Sequence, residues 1–261
     1  MSLFALKLIL TPLLIAMATL VARRWGPVAG GWIIGLPLTS GPVSAFLALE
    51  HGPEFAATAA AATVLATLTV AAFCVSYART AQRFPWPVAY PVALLAFFLA
   101  VAVFSRVTLP PVPAALCTYA VLAALLVVEK KPAAPPATPP SFAWDIPFRM
   151  VAATGIVLAI TTLSEHIGPV LSGLLSAFPA FISVMFIFSH RLCGPASVRQ
   201  MERGTIMGSF SFAAFFATVA LAMPHWNVAA VYCFAILAAT GVNAVCMAAM
   251  ARLKHPPRST G

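Results

Sequence analysis

The sequence predicts an all-α protein, a polytopic transmembrane helix bundle of about nine helices, with two inverted four-helix repeats joined by one extra helix. Three observations carry this reading. The composition is too apolar for a soluble surface, a run of helix-breaking residues recurs 142 positions along the chain, and the basic side chains fall almost entirely into alternate loops.

Composition excludes most other classes. Of 261 residues, 62% are hydrophobic and 8% charged, with a mean hydropathy of +0.98, whereas a soluble domain carries about one-quarter charged residues. The chain is therefore expected in a membrane, with lipids as its first partners. A net charge of +9 would suggest nucleic acid if the basic residues formed a patch. They stand one to three at a time between apolar runs, which is a topology signal, so no nucleic-acid partner is expected. The five cysteines show no paired spacing, and four lie inside apolar runs, so they read as small hydrophobes rather than as a disulfide framework or metal knot.

Crossing about 30 Å of hydrocarbon at 1.5 Å per residue takes roughly 20 residues. That ruler places segments at about 3–22, 28–49, 55–78, 86–105, 110–128, 148–164, 169–189, 204–223 and 228–251. The first, cored by Leu8 to Val21, lacks a strongly basic leader and precedes Arg23-Arg24 rather than a small-residue cleavage site, so it reads as a membrane helix and not a signal peptide. The second contains Gly26-Pro27, Gly31, Gly35, Pro37 and Gly41-Pro42 inside a membrane-length run, and the seventh repeats Gly168-Pro169, Gly173 and Pro179. Both copies close on Gly-Pro, at Gly52-Pro53 and Gly194-Pro195. Over 26–53 against 168–195, eight positions are identical without a gap and six of the eight are Gly or Pro. Backbone-special positions thus repeat better than the apolar filler, as expected of an internal duplication.

Orientation follows from charge. With the N-terminus outside, 13 of the 15 basic residues face the cytoplasm and only Lys7 and Arg106 do not. Segment 7 follows segment 2 by five segments, an odd number, so the two run in opposite directions. Arg23 and Arg24 align with Glu165 and His166, while Ala57 and Ala61 align with Arg199 and Arg203. The chain divides into a first repeat at 1–105, a linking helix and tether at 106–147, and a second, inverted repeat with a short basic tail at 148–261. The stretch Glu129-Lys-Lys-Pro-Ala-Ala-Pro-Pro-Ala-Thr-Pro-Pro140 is too rich in proline for a helix and reads as an extended cytoplasmic tether.

The candidate site lies at the two breaks. Pro37 and Pro179 each sit about ten residues from both ends of their spans, where a proline removes a backbone hydrogen bond that lipid cannot replace. Transporters present such broken helices to substrates; proline kinks with glycines for close helix packing would leave the same residues. Gly35, Pro37, Thr39, Ser40 and Gly41 from the first break and Ser176, Phe178, Pro179, Phe181 and Ser183 from the second are the predicted substrate-binding residues. Ionisable groups are few: Glu50, His51 and Glu54 at one outer end and Glu165 and His166 at another read as solvated loop residues, with an outer vestibule as the alternative, and the six acids overall are scattered. His190, Arg191, Arg199, Glu202 and Arg203 read as a cytoplasmic group that sets orientation and meets lipid headgroups. No HExxH, GxSxG, phosphate-binding Gly-Lys loop or paired aspartates occur, so neither catalysis nor a metal or other cofactor is expected.

Ser172-Gly-Leu-Leu-Ser-Ala-Phe-Pro-Ala-Phe-Ile-Ser-Val-Met-Phe-Ile-Phe-Ser-His190 resembles a run in the small GlpM-like bacterial inner-membrane proteins, chains about half this long. The resemblance implies a gene duplicated and fused from an inverted dimer, in the bacterial inner membrane, and implies no particular activity. The first copy departs from it with Leu36-Pro37 for Phe-Pro and an added Gly41-Pro42. The sequence is thus expected to encode a small secondary transporter, exporter or lipid-type flippase for an unknown small-molecule or lipid substrate. The alternative is a non-transporting scaffold or regulator of an envelope enzyme. Either is compatible with a homo-oligomer. Reporter fusions are expected to place Ala134 in the cytoplasm and Gly52 outside; both on one side would refute the inverted arrangement.

Overall fold

A computed structural model describes residues 3–38, 40–107, 109–129, 144–164 and 178–254. The described regular structure is all helical: α1 Leu3–Trp25, α2 Pro27–Ile34, α3 Ser40–His51, α4 Pro53–Thr80, α5 Trp86–Phe104, α6 Pro111–Val128, α7 Asp145–Ser164, α8 Ala180–Cys193, α9 Pro195–Ala222 and α10 Val228–Lys254. Five of these, α4, α5, α6, α9 and most of α10, are long and apolar enough to cross a membrane. The span predicted over 28–49 is two helices, α2 and α3, and residues 35–38 between them are not helical. The eighth predicted segment begins nine residues earlier than its hydropathy suggested, because Gly194-Pro195 starts the helix.

Several boundaries follow from chain chemistry. Gly52 (φ 88°) and Gly194 (φ 78°) are held in the left-handed half of backbone space, where a side chain is disfavoured, and each is followed by a proline at the first turn of a 28-residue helix. Gly26 (φ 91°) and Pro27 start α2 in the same way. The described bounds of α4 and α9, 53–80 and 195–222, differ by 142 at both ends, and α1 and α7 begin at 3 and 145, α5 and α10 at 86 and 228.

The bundle is organised around α9, which packs against α2, α4, α6 and α10. Against α2 the contact is backbone to backbone. A methyl group added at Gly31 would fall on the carbonyl of Met201, one at Gly204 on the carbonyl of Val28, and one at Gly35 or Gly208 on the facing glycine and its neighbours. Two small-xxx-small pairs, Gly31/Gly35 and Gly204/Gly208, therefore interlock, the arrangement by which membrane helices gain close packing without a hydrophobic driving force. Apolar clusters flank this seam. Tyr77, Phe73, Phe97 and Phe186 lie on one side, Val64, Phe216, Val219 and Met223 on the other, and α5, α6 and α10 turn large apolar side chains outward.

Ion pairs identify which helix ends share a face. Arg23 at the end of α1 binds Asp145 at the start of α7, and Glu129, just after α6, bridges Arg79 near the end of α4 and Arg199 near the start of α9. The Gln82 side-chain amide, following α4, donates to the carbonyl of Pro195. So α4 and α9 are antiparallel neighbours, as are α1 and α7.

Replacing Gly204 by Ala is expected to cost roughly 1–3 kcal/mol, since neither backbone can give way. The same change at Gly241, which has open space around it, is expected to be neutral or to stabilise by about 0.5–1 kcal/mol, because alanine reduces chain entropy in a helix. Thermal unfolding of the two variants in one detergent measures the contrast.

Candidate functional site

The two proline breaks have matching backbone geometry. At the first, the amide of Leu38 donates to the carbonyl of Leu36 at 2.8 Å across Pro37, and the amide of Gly41 donates to Pro37 at 2.9 Å. At the second, Ala180 donates to Phe178 at 2.8 Å across Pro179, and Ser183 donates to Pro179 at 2.8 Å. Pro179 has φ −79° and ψ 56°, an inverse γ-turn. Each proline thus closes a three-residue turn and supplies the first carbonyl of the helix that follows. At Pro37 this makes the break a turn between two helices, α2 and α3, rather than a bend, and at Pro179 the same turn starts α8.

Among the predicted site residues, Gly35 is buried against the Thr205 carbonyl and Gly208, so it provides close approach to α9. Gly41 faces the Phe215 ring, 3.3 Å from where a Cβ would stand. Pro37 and Ser40 are half-buried and Pro179 is buried. Phe178 is half-buried and packs edge-on to Phe97 with centroids 6.0 Å apart. Ser183 is fully buried. Phe181 lines, with Leu36, Leu38, Ile33, Ile34, Leu14 and Ala18, a void of only about 20 Å³, room for about one water. The two breaks therefore converge on one small apolar space. Thr39 and Ser176, together with the outer pair Glu165 and His166, lie outside the described residues.

Other polar groups sit near the first break that the sequence reading did not single out. Ser211 is fully buried, and its hydroxyl has no hydrogen-bond partner among the described residues. It lies on α9 one turn from both Gly208, which touches Gly35, and Phe215, which faces Gly41. The Trp32 indole nitrogen is likewise buried and unpartnered. The Ser44 hydroxyl bonds the Tyr232 hydroxyl at 2.7 Å, joining α3 to α10. A signal for Ser211 was present in Gly208-Ser-Phe-Ser211, a polar cluster within an aromatic run; only the packing of α2 on α9 brings it to the break.

At the end of the bundle defined by the ion pairs, three of the six acids are buried: Glu129, Asp145 and Glu202. The sequence showed these acids only as scattered; helix ends carrying arginine bring them together. Asp145 accepts from Arg23 at 2.9 Å and from Arg149 at 3.0 and 3.1 Å, while Arg149 also lies 4.8 Å from the centre of the Phe188 ring. Of the group expected to set orientation, Arg199 is half-buried and pairs with Glu129, and Glu202 is buried with no hydrogen-bond partner for either oxygen among the described residues. No group of three or more His, Cys, Asp or Glu among the described residues is arranged to hold a metal ion.

Among the described residues all regular structure is helical, with five helices of membrane-crossing length, three of which turn apolar faces outward, as in a multi-pass membrane protein. No protein-family model, curated protein or solved structure matches it.

Asp145→Asn is expected to destabilise the protein by roughly 3–5 kcal/mol, because it strands Arg149, whose side chain is only 5% exposed. Arg24→Gln, on an exposed side chain, is expected to change stability by less than about 0.5 kcal/mol. Denaturation of both variants under one condition tests the difference.

Proposed function

We propose that the protein is a small secondary transporter, exporter or lipid-type flippase of the bacterial inner membrane, built as nine spans in two inverted repeats. Its substrate path runs between the broken spans, α2–α3 and the span ending in α8. The observation that carries the reading is the pair of proline turns with one hydrogen-bonding pattern, 142 residues apart, facing a common void. Equal offsets at the described ends of α4 and α9, their antiparallel contact, and the ion-paired face support the inverted arrangement. That face carries Arg23, Arg79, Arg149 and Arg199, so the positive-inside rule makes it cytoplasmic, with the N-terminus outside. The resemblance of 172–190 to GlpM-like proteins belongs to the same proposal.

In this reading the structure is a closed state, with the void too small for a substrate. Opening would expose Ser40, the Ser211 hydroxyl and backbone amides of the first break on one wall and Phe178 and Phe181 on the other, a division suited to an amphiphile. A specific observation also favours the rival scaffold: α2 is locked to α9 by the glycine seam, and the space between the breaks is filled by Leu36, Leu38 and Phe181.

Single cysteines at Leu36, Leu38 and Phe181, in a chain freed of its native cysteines, separate the two without knowledge of the substrate. Alternating access predicts labelling by membrane-impermeant thiol reagents from both faces of sealed vesicles. Protection from both faces would favour the scaffold and reject transport along this path.

A further inference from the structure

A groove of about 550 Å³ runs along the outer surface of α4, between it and α6, with Phe104 of α5 at its edge. It is far larger than the void between the breaks and lies on a different face. Its floor is apolar, from Leu68 through Ala71 to Val75, and its rim is formed by Cys117, Val121 and Leu125 of α6. Among its lining residues Arg79 is the one charged side chain, with the Ser76 and Thr80 hydroxyls beside it on the neighbouring turns. Cys117 and Val121 are exposed, as are Leu116, Val127 and Val128 on the same helix, so the groove opens toward the surface that the bundle turns to hydrocarbon.

The charged end is electrostatically incomplete. Arg79 binds Glu129 through Nε at 2.8 Å and Nη2 at 2.6 Å, yet its side chain stays 57% exposed. Arg199 uses the other Glu129 oxygen, while Arg203 donates to the main-chain carbonyl of Leu126. Three guanidiniums thus surround one paired carboxylate and the buried Glu202, leaving positive charge in excess even with both acids ionised. A long apolar trough that ends in an exposed arginine at the ion-paired end of the bundle has the polarity of one lipid: a chain along the trough and an anionic phosphate at its end.

We propose that this groove is a binding site for an anionic phospholipid, with an acyl chain along Leu68, Val75 and Val121 and the phosphate on Arg79. Arginine suits this role because its fork can donate to phosphate oxygens while still holding Glu129. The site stands apart from the proline breaks and does not depend on transport. A lipid seated there would span α4 and α6, the two helices that Glu129 ties to α9.

Native mass spectrometry of the full chain released from mixed micelles tests it, with phosphatidylglycerol and phosphatidylcholine of identical chains as probes. The wild type is expected to retain one phosphatidylglycerol in preference to phosphatidylcholine by on the order of tenfold, the effect of one charge-assisted contact. Arg79→Gln is expected to abolish the preference, and Arg83→Gln, which is exposed and outside the groove, to keep it. Cys117→Trp is expected to lower retention of both lipids by narrowing the trough while leaving the charged cluster intact. It decides the matter if Arg79→Gln fails to fold. Equal retention of the two lipids by the wild type, an unchanged preference in Arg79→Gln, or undiminished retention in Cys117→Trp would each overturn the proposal. So would Arg79-dependent binding of glycerol phosphate or inorganic phosphate without lipid, which would make the occupant a soluble anion, or a dimer that covers the groove and excludes lipid.

Discussion

The glycine seam between α2 and α9 is the constraint on which the rest of the bundle depends. Lipid offers no hydrophobic reward for bringing two apolar helices together, so contact must come from dispersion over a closely matched surface. Gly31, Gly35, Gly204 and Gly208 provide that surface by removing the side chains that would hold the backbones apart. The close approach fixes the register of α2 against α9, and with it the position of the first break, which begins at Gly35. It also brings Ser211 and Phe215 to that break. A local feature of composition, four glycines at helical spacing, thereby determines where an irregular backbone can be tolerated within the bundle.

Charge organises the opposite axis. Arg23, Asp145 and Arg149 join the end of one helix to the start of another, and Arg79, Glu129 and Arg199 do the same for three elements. The gain from each pair is moderated by desolvation, but a buried arginine or carboxylate without its partner would be costly. These pairs therefore act most strongly against alternative arrangements: a chain threaded in the other direction would bury the same charges unpaired. The clustering of arginines at one face is at once the topology signal and the source of the pairing that holds antiparallel helices in register.

The breaks combine two requirements that ordinarily conflict. Helix termini expose unsatisfied amides and carbonyls, which is expensive in an apolar interior. Pro37 and Pro179 limit that cost because neither has an amide to satisfy, and the inverse γ-turn each centres ties the flanking residues together. A closed, nearly dry space between them follows, lined by Leu36, Leu38 and Phe181. Whether such a seam serves as a resting gate or as a permanent packing contact turns on motion of the first break against α9, which the glycine pairs resist.

Much of the architecture was legible from the sequence because membrane burial writes itself into composition: apolar runs of fixed length, alternate loops rich in arginine, and prolines and glycines at helix ends. The Gly-Pro dipeptides before α2, α4 and α9 were visible, but those at 52–53 and 194–195 read as the close of the repeated run, and the start of α9 was missed by nine residues; only the positive φ of the glycines shows them as helix starts. Pro37 and Pro179 were visible as prolines 142 residues apart inside apolar runs. Hydropathy could not decide that 28–49 is two helices, because a turn centred on proline between apolar residues is as hydrophobic as the helices it separates. Nor could it find the partners of Gly31 and Gly35, which lie some 170 residues away in Gly204 and Gly208. The fate of the acids was decided by tertiary structure alone. Glu129 read as the first residue of the tether, Glu202 as one charge among arginines, and Asp145 gave no signal; three-dimensional convergence of helix ends buries all three, and arginines from other elements meet Glu129 and Asp145.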